Sequence, residues 1–145
     1  LKVAGFEFLW LKQIKPKLKN PKPETKQPET NLTMKIFHNP RCSKSRDALS
    51  LLRESGVEPQ IIEYLKVVPT RDEFKRLLMQ LNLKPAQVLR TSEELYKQKY
   101  KDKKFTDDEW ITIMLESPEL IERPIVVKGH KAVVARPAKA LLELL

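Results

Sequence analysis

A chain of 145 residues, 41% hydrophobic and 32% charged, is long enough for one domain and too short for two comfortable ones. No stretch approaches the ~18 apolar residues of a membrane-spanning helix, so a transmembrane helix is excluded and no membrane partner is expected. The formal net charge of +9 divides into +4 from residues 1–33, with 7 Lys and 3 Glu, and +5 from residues 34–145. Such a field favours anionic small molecules. Nucleic-acid binding needs a clustered basic face or a motif that the sequence lacks, so no nucleic-acid partner is expected.

Residues 1–33 stand apart in composition. Pro16, Pro21, Pro23 and Pro28 fall within them, and Lys15 to Thr30 is rich in Lys, Pro, Glu and Thr, the make-up of an extended linker. The apolar start, Phe6 to Leu11, is interrupted by Glu7 and lacks the ordered regions of a secretory signal. Residues 1–33 are therefore expected to be a disordered or loosely ordered basic N-terminal extension, with one domain over 34–145.

Met34 to His38 reads as a short strand, which Asn39-Pro40 breaks. Ser43 to Ser55 reads as a helix with Ala48, Leu49, Leu51 and Leu52 as its apolar stripe and Gly56 as its stop. Pro59 to Leu65 is expected to be a second strand, completing a right-handed βαβ unit. Thr70-Arg71-Asp72-Glu73 is a capping-box pattern opening a helix with Phe74, Leu77, Leu78 and Leu81 inward. Pro85 to Leu89 reads as a helical turn. A second capping box, Thr106 to Glu109, opens a helix lined by Trp110, Ile113 and Met114 and ended by Pro118. Pro124–Val127 and Lys131–Ala135 flank Gly129-His130 as a hairpin, and Pro137 is placed as the first residue of a last helix reaching Leu145. The order β-α-β, helical block, β-β-α predicts an α/β fold with a thioredoxin-like mixed sheet and a helical insertion between its halves.

Cys42 is the single cysteine, so no disulfide can form within the chain, and a reducing, cytoplasmic setting is expected. It lies in the turn between the first strand and the first helix, where free backbone N–H groups and the helix dipole favour an anion. Arg41, Lys44 and Arg46 add positive charge in the sequence around it. A free thiol with a pKa of ~8.5 is about 3% ionised at pH 7, and lowering that to ~6.5 would raise the thiolate about 25-fold. The position that would complete a Cys-x-x-Cys pair is Ser45, and the position of a phosphatase-type Cys-x5-Arg arginine is Ala48. A Cys–His hydrolase remains open through His38, for which no orienting carboxylate or amide can be assigned. His130 is expected to be an exposed turn residue. Arg90, Arg123 and Arg136 sit at expected element ends, where guanidinium forks could converge on an oxyanion.

The stretch His38-Asn39-Pro40-Arg41-Cys42-Ser43-Lys44-Ser45-Arg46, followed in order by Tyr64-Leu65, Leu89-Arg90, Phe105-Thr106-Asp107-Asp108, Glu122-Arg123-Pro124-Ile125-Val126-Val127 and Arg136-Pro137, resembles the glutaredoxin-linked arsenate reductases of the ArsC family. The resemblance runs from Met34 to Leu145 and implies a thioredoxin-like fold. It implies Cys42 as nucleophile on arsenate, Arg90, Arg123 and Arg136 as oxyanion ligands, and His38, Ser45 and Arg46 as supporting residues. It further implies glutathione as co-substrate and glutaredoxin as partner, with no bound cofactor or metal, and a monomer is expected. Spx-type regulators, which bind RNA polymerase without catalysis, are the alternative of similar fold, as is an ArsC-like thiol enzyme with another substrate. Ser45 in place of a second cysteine and the Arg136-Pro137 pair both favour the enzyme.

Deleting residues 1–33 is expected to leave the melting temperature and activity nearly unchanged. A fall of several degrees, on the scale where ~1 kcal/mol moves a domain of this size by a few degrees, would contradict the reading of this segment as an appendage.

Overall fold

A computed structural model describes residues 33–145. The expectation for residues 1–33 therefore falls, but for Thr33, outside the described residues.

The strands are β1 (Lys35–Phe37), β2 (Gln60–Ile62), β3 (Ile125–Lys128) and β4 (Lys131–Val134), in sheet order β2-β1-β3-β4. β1 pairs parallel with β2, as the intervening crossover helix α1 (Ser43–Glu54) requires. β3 pairs antiparallel with both β1 and β4. Between β2 and β3 lies the helical insertion: α2 (Arg71–Leu81), a 3₁₀ turn at Pro85–Val88, α3 (Glu94–Lys99), α4 (Asp107–Glu116) and a 3₁₀ turn at Pro118–Leu120. The chain is thus the expected thioredoxin-like α/β fold.

The period-2 alternation of the strands divides two hydrophobic layers. On one face Ile125 and Val127 of β3 and Ala132 of β4 pack with Phe74, Leu77, Leu78, Trp110, Ile111 and Met114 from α2 and α4. On the other, Ile36 and Val126 pack with Ala48, Leu49 and Leu52 of α1 and Leu141 and Leu144 of the C-terminal segment. The central strand β3 is buried on both faces at Ile125, Val126 and Val127, which is why Pro124 to Val127 reads as an unbroken apolar run.

Local chemistry sets the boundaries. Both capping boxes form: the Thr70 and Thr106 hydroxyls accept from the N–H groups of Glu73 and Glu109, whose carboxylates accept from the threonine N–H groups in return. At the end of α1, Gly56 takes φ +80, a left-handed conformation that an L side chain resists, and Val57 donates back to the Leu52 carbonyl at 2.9 Å. Gln80 of α2 ties the β3–β4 turn by donating to the Gly129 carbonyl at 2.9 Å.

The structure departs from these expectations at four points. The second strand ends at Ile62 and not at Leu65, because Lys66 and Val67 donate to the Glu63 carbonyl, closing a turn that carries the Tyr64 ring into the core. The last segment, Ala138–Leu144, is 3₁₀ in type, and Pro137 precedes it with extended dihedrals (φ −68, ψ 162) instead of forming its first residue. The helix α3 was not foreseen. It has six residues, buries none of them fully and has no side-chain cap, so it leaves no strong periodic signal. In α4 the neighbour Ile111 is buried, whereas the expected Ile113 is only partly so.

Thr70→Ala and Thr106→Ala are each expected to cost about 1 kcal/mol in urea unfolding through loss of a cap. Phe74→Ala, which empties a fully buried site, is expected to cost about 3–5 kcal/mol. Equal losses for cap and core would contradict this layering.

Candidate active site

The sheet register gathers one end of the molecule. Because β1 and β3 run antiparallel with Phe37 opposite Ile125, the residues after β1 lie beside those before β3. Ile125 also stands opposite Val134, so the chain leaving β4 arrives at the same end, and the parallel β2 adds its own C-terminal end. Cys42 after β1, Tyr64 after β2, Arg123 before β3 and Arg136 after β4 are thus brought together from four separate segments. Arg90 joins them through an isolated antiparallel bridge between Leu89 and Ile121. Here Arg90 donates its N–H to the Leu120 carbonyl at 2.7 Å and Glu122 donates to Val88 at 2.8 Å.

Cys42 occupies the N-cap position of α1, with extended dihedrals and no side-chain cap bond to the helix. The first turn carries no acidic residue. Its N–H groups therefore remain available to an anion instead of being satisfied by a Ser, Thr or Asp cap. The loop leading in is braced. The Asn39 side-chain oxygen accepts from the Arg41 N–H at 3.0 Å, Cys42 donates its N–H to the Asn39 carbonyl at 3.0 Å, and Asn39 donates to the buried Ser45 hydroxyl at 3.4 Å.

Burial pushes the Cys42 thiol up, but opposing contacts prevail and hold it below its ordinary value. They are the backbone N–H of Ser45, the Arg123 guanidinium, the backbone N–H of Lys44 and the Ser45 hydroxyl. The sequence suggested that Arg41, Lys44 and Arg46 would supply the positive field. In the fold Arg41 and Lys44 are exposed, and Arg46 donates from Nη1 to the Pro40 carbonyl at 2.9 Å, bracing the loop. The cation against the sulfur is Arg123, far away in sequence.

Arg90 and Arg123 are largely withdrawn from water, their side chains 12% and 14% exposed, whereas Arg136 is 39% exposed. Arg136 reaches back with Nη1 to the Arg123 carbonyl at 3.4 Å, and Arg123 Nη1 donates to the Tyr64 hydroxyl at 3.4 Å. Burial raises the Tyr64 phenol above its ordinary value, so it stays protonated at neutral pH. Two carboxylates enter the cluster: Glu93 Oε1 lies 2.8 Å from Arg90 Nη1 and 3.9 Å from Arg123 Nη2, and Glu122 Oε2 lies 3.9 Å from Arg136 Nη1. Arg90 Nη1, Arg123 Nε and Glu122 Oε2 are nevertheless buried without a hydrogen-bond partner.

His38 is buried beneath the loop. Its N–H continues the strand ladder to the Ile62 carbonyl at 2.8 Å, and its Nδ1 has no hydrogen-bond partner. Burial lowers its pKa, so the ring is neutral at pH 7. His130 is exposed in the hairpin turn. All the anticipated site residues thus fall at one end of the sheet, Arg136 at its rim. Tyr64, Asn39 and Glu93 were not anticipated. Asn39 followed by Pro, two residues before Arg41, was a legible turn signal, whereas the other two depend on the fold.

The model of the ArsC family matches residues 37–144. An arsenate reductase of Escherichia coli (strain K12) is 43% identical over 117 residues, covering 80% of this chain and 82% of its own. An uncharacterized protein of the same organism, YfgD, is 42% identical over 113 residues, covering 77% and 95%. Among solved structures, the arsenate reductase from Vibrio cholerae superposes with a TM-score of 0.75 at 45% identity, covering 79% of this chain and 98% of its own.

Following thiolate absorbance against pH should give a Cys42 midpoint below the ~8.5 of a free thiol. Because the folded value is the lower one, the linked folding stability is complete above the unfolded thiol's pKa and is lost as pH falls through the folded value. Arg123→Met should move the midpoint upward more than Arg41→Gln does. The reverse order would contradict the placement of Arg123 against the sulfur.

Proposed function

The chain belongs to the ArsC family, and on that premise we propose that it is an arsenate reductase whose Cys42 thiolate attacks arsenate. The observation that carries this reading is one convergence: a thiol held low, an uncapped helix start, and the guanidiniums of Arg90, Arg123 and Arg136 at one sheet end. An activated thiolate alone serves many reactions. Three arginines around it suit a tetrahedral oxyanion, since planar forks donate paired hydrogen bonds to it and offset its charge.

In the first step the Cys42 sulfur forms a bond to arsenic. One arsenic–oxygen bond breaks, and the departing hydroxide takes a proton and leaves as water. The arginines hold the oxyanion against the repulsion a thiolate would otherwise meet, while the N–H groups of Lys44 and Ser45 steady the sulfur. In the second step a glutathione thiolate attacks the Cys42 sulfur. The sulfur–sulfur bond forms, the sulfur–arsenic bond breaks with its electron pair passing to arsenic, and arsenite departs. Arsenic is reduced by two electrons while the two thiols become a mixed disulfide. A glutaredoxin thiolate then takes the glutathione sulfur and releases Cys42 as thiolate. With no second cysteine in the chain, these later thiols must come from outside. Ser45 and Arg46 support the loop, and neutral His38 packs beneath it.

The test is arsenate-dependent NADPH oxidation coupled through glutathione, glutaredoxin and glutathione reductase. Wild type should turn over and Cys42→Ser should not. Arg123→Lys and Arg136→Lys keep the charge but lose the fork, so kcat/KM for arsenate should already fall. Alanine should lower it by about 10- to 150-fold, the loss of a charged hydrogen bond worth ~1.5–3 kcal/mol. Alkylation of Cys42 by a neutral reagent should change far less in the Arg136 variants. Wild-type rates in folded Arg→Ala variants would remove these arginines from the site.

A further inference from the structure

Glu93 sits where a substrate oxygen would be useful. It is the N-cap residue of α3 by position, yet its carboxylate makes no cap bond to that helix. It lies instead between the two most withdrawn arginines, with Oε1 2.8 Å from Arg90 Nη1 and 3.9 Å from Arg123 Nη2. At 2.8 Å the charges touch, but the N–H is not aimed at the oxygen, and Arg90 Nη1 counts among the buried atoms without a hydrogen-bond partner. Arg123 Nε is unpartnered as well. These arginines are compensated in charge while Arg90 Nη1 and Arg123 Nε remain unspent, although Arg123 Nη1 is given to Tyr64. The side chain of Glu93 is 28% exposed, so it has a route outward to water.

We propose that Glu93 is the resident counter-anion of Arg90 and Arg123, displaced by the incoming oxyanion, and that it raises the affinity any anion needs to enter. This rests on the oxyanion reading of the site given above. Two guanidiniums held out of water without a negative partner are costly, and a carboxylate offsets that cost between turnovers. An arriving anion must outcompete it. A tetrahedral dianion brings more charge and more acceptor oxygens than one carboxylate, and it can use the misaligned donors. A monoanion such as chloride or nitrate only matches the charge already there. The site is thereby kept from filling with the abundant monovalent anions of a cell, at the cost of some affinity for the dianion. The penalty falls on every entering anion alike, so weakly held monoanions drop out of the site while a well-held dianion still enters.

The test uses the full chain, titrated calorimetrically with sodium arsenate, sodium sulfate and sodium nitrate, together with chloride inhibition of arsenate reduction. Glu93→Gln removes the charge at nearly constant shape, and Glu93→Ala removes the side chain. Both should bind sulfate and arsenate more tightly, by roughly tenfold, the size of one partly buried charge contact. Nitrate should gain by a similar factor, because the same carboxylate no longer has to be displaced. The inhibition constant for chloride should fall by about as much, and Glu93→Asp should stay near wild type. A purely structural role predicts weaker binding of sulfate, arsenate and nitrate alike. Unchanged or weakened sulfate binding in both variants, with normal binding in wild type, overturns this inference alone. A gain for sulfate without one for nitrate also overturns it, because it means that Glu93 stays in place and repels. If wild type binds neither sulfate nor arsenate, the oxyanion reading itself falls, and this inference with it.

Discussion

The antiparallel pairing of β1 with β3 is the constraint on which the site depends. It sets Phe37 opposite Ile125 and so delivers Arg123 to the sulfur of Cys42, residues far apart in the chain. A shift of one residue in that register would turn the side chains of β3 to the opposite layer. It would separate Ile125 and Val127 from the helical insertion and Val126 from α1. The register is therefore fixed by burial on both sides of a central strand, and the chemistry inherits that rigidity. The hairpin to β4 and the Leu89–Ile121 bridge extend the same logic to Arg136 and Arg90.

The site is a place where local rules of stability are broken together. The start of α1 lacks a capping side chain, although α2 and α4 each begin with a complete capping box. A missing cap costs a helix about 1 kcal/mol, and it leaves donors free for an anion. Nearby, two arginines are withdrawn from water, a neutral histidine is buried with an unpartnered nitrogen, and Glu122 Oε2 lacks a hydrogen-bond donor. Buried polar groups are ordinarily satisfied, so a cluster of exceptions around a single thiol marks where folding has yielded to function.

Much of this was legible in the sequence because it is written in short-range chemistry. Thr70 with Glu73 and Thr106 with Glu109 announce their helices, Gly56 ends α1, Gly129-His130 marks the hairpin, and the strand–Cys–helix order put Cys42 at the start of α1. The motif order around Cys42, Arg90, Arg123 and Arg136 pointed to the family. What was not legible depends on pairing across the sheet. Nearness in sequence favoured Arg41, Lys44 and Arg46 as the thiol's cations, whereas the fold places Arg123 there. Tyr64 looked like one more strand residue until the turn at Glu63 carried its hydroxyl to Arg123. Glu93 belongs to a six-residue helix too short and too exposed to leave a periodic trace.

The proposed two-electron chemistry between the Cys42 thiolate and an external thiol has a direct chemical signature. Wild-type protein mixed with arsenate and glutathione, in the absence of glutaredoxin, should carry one glutathionyl group per chain by intact-mass spectrometry. Peptide mapping should place it on Cys42, and it should form only when arsenate is present. A chain left unmodified, or one glutathionylated equally well without arsenate, would contradict the assignment of Cys42 as the nucleophile on the oxyanion.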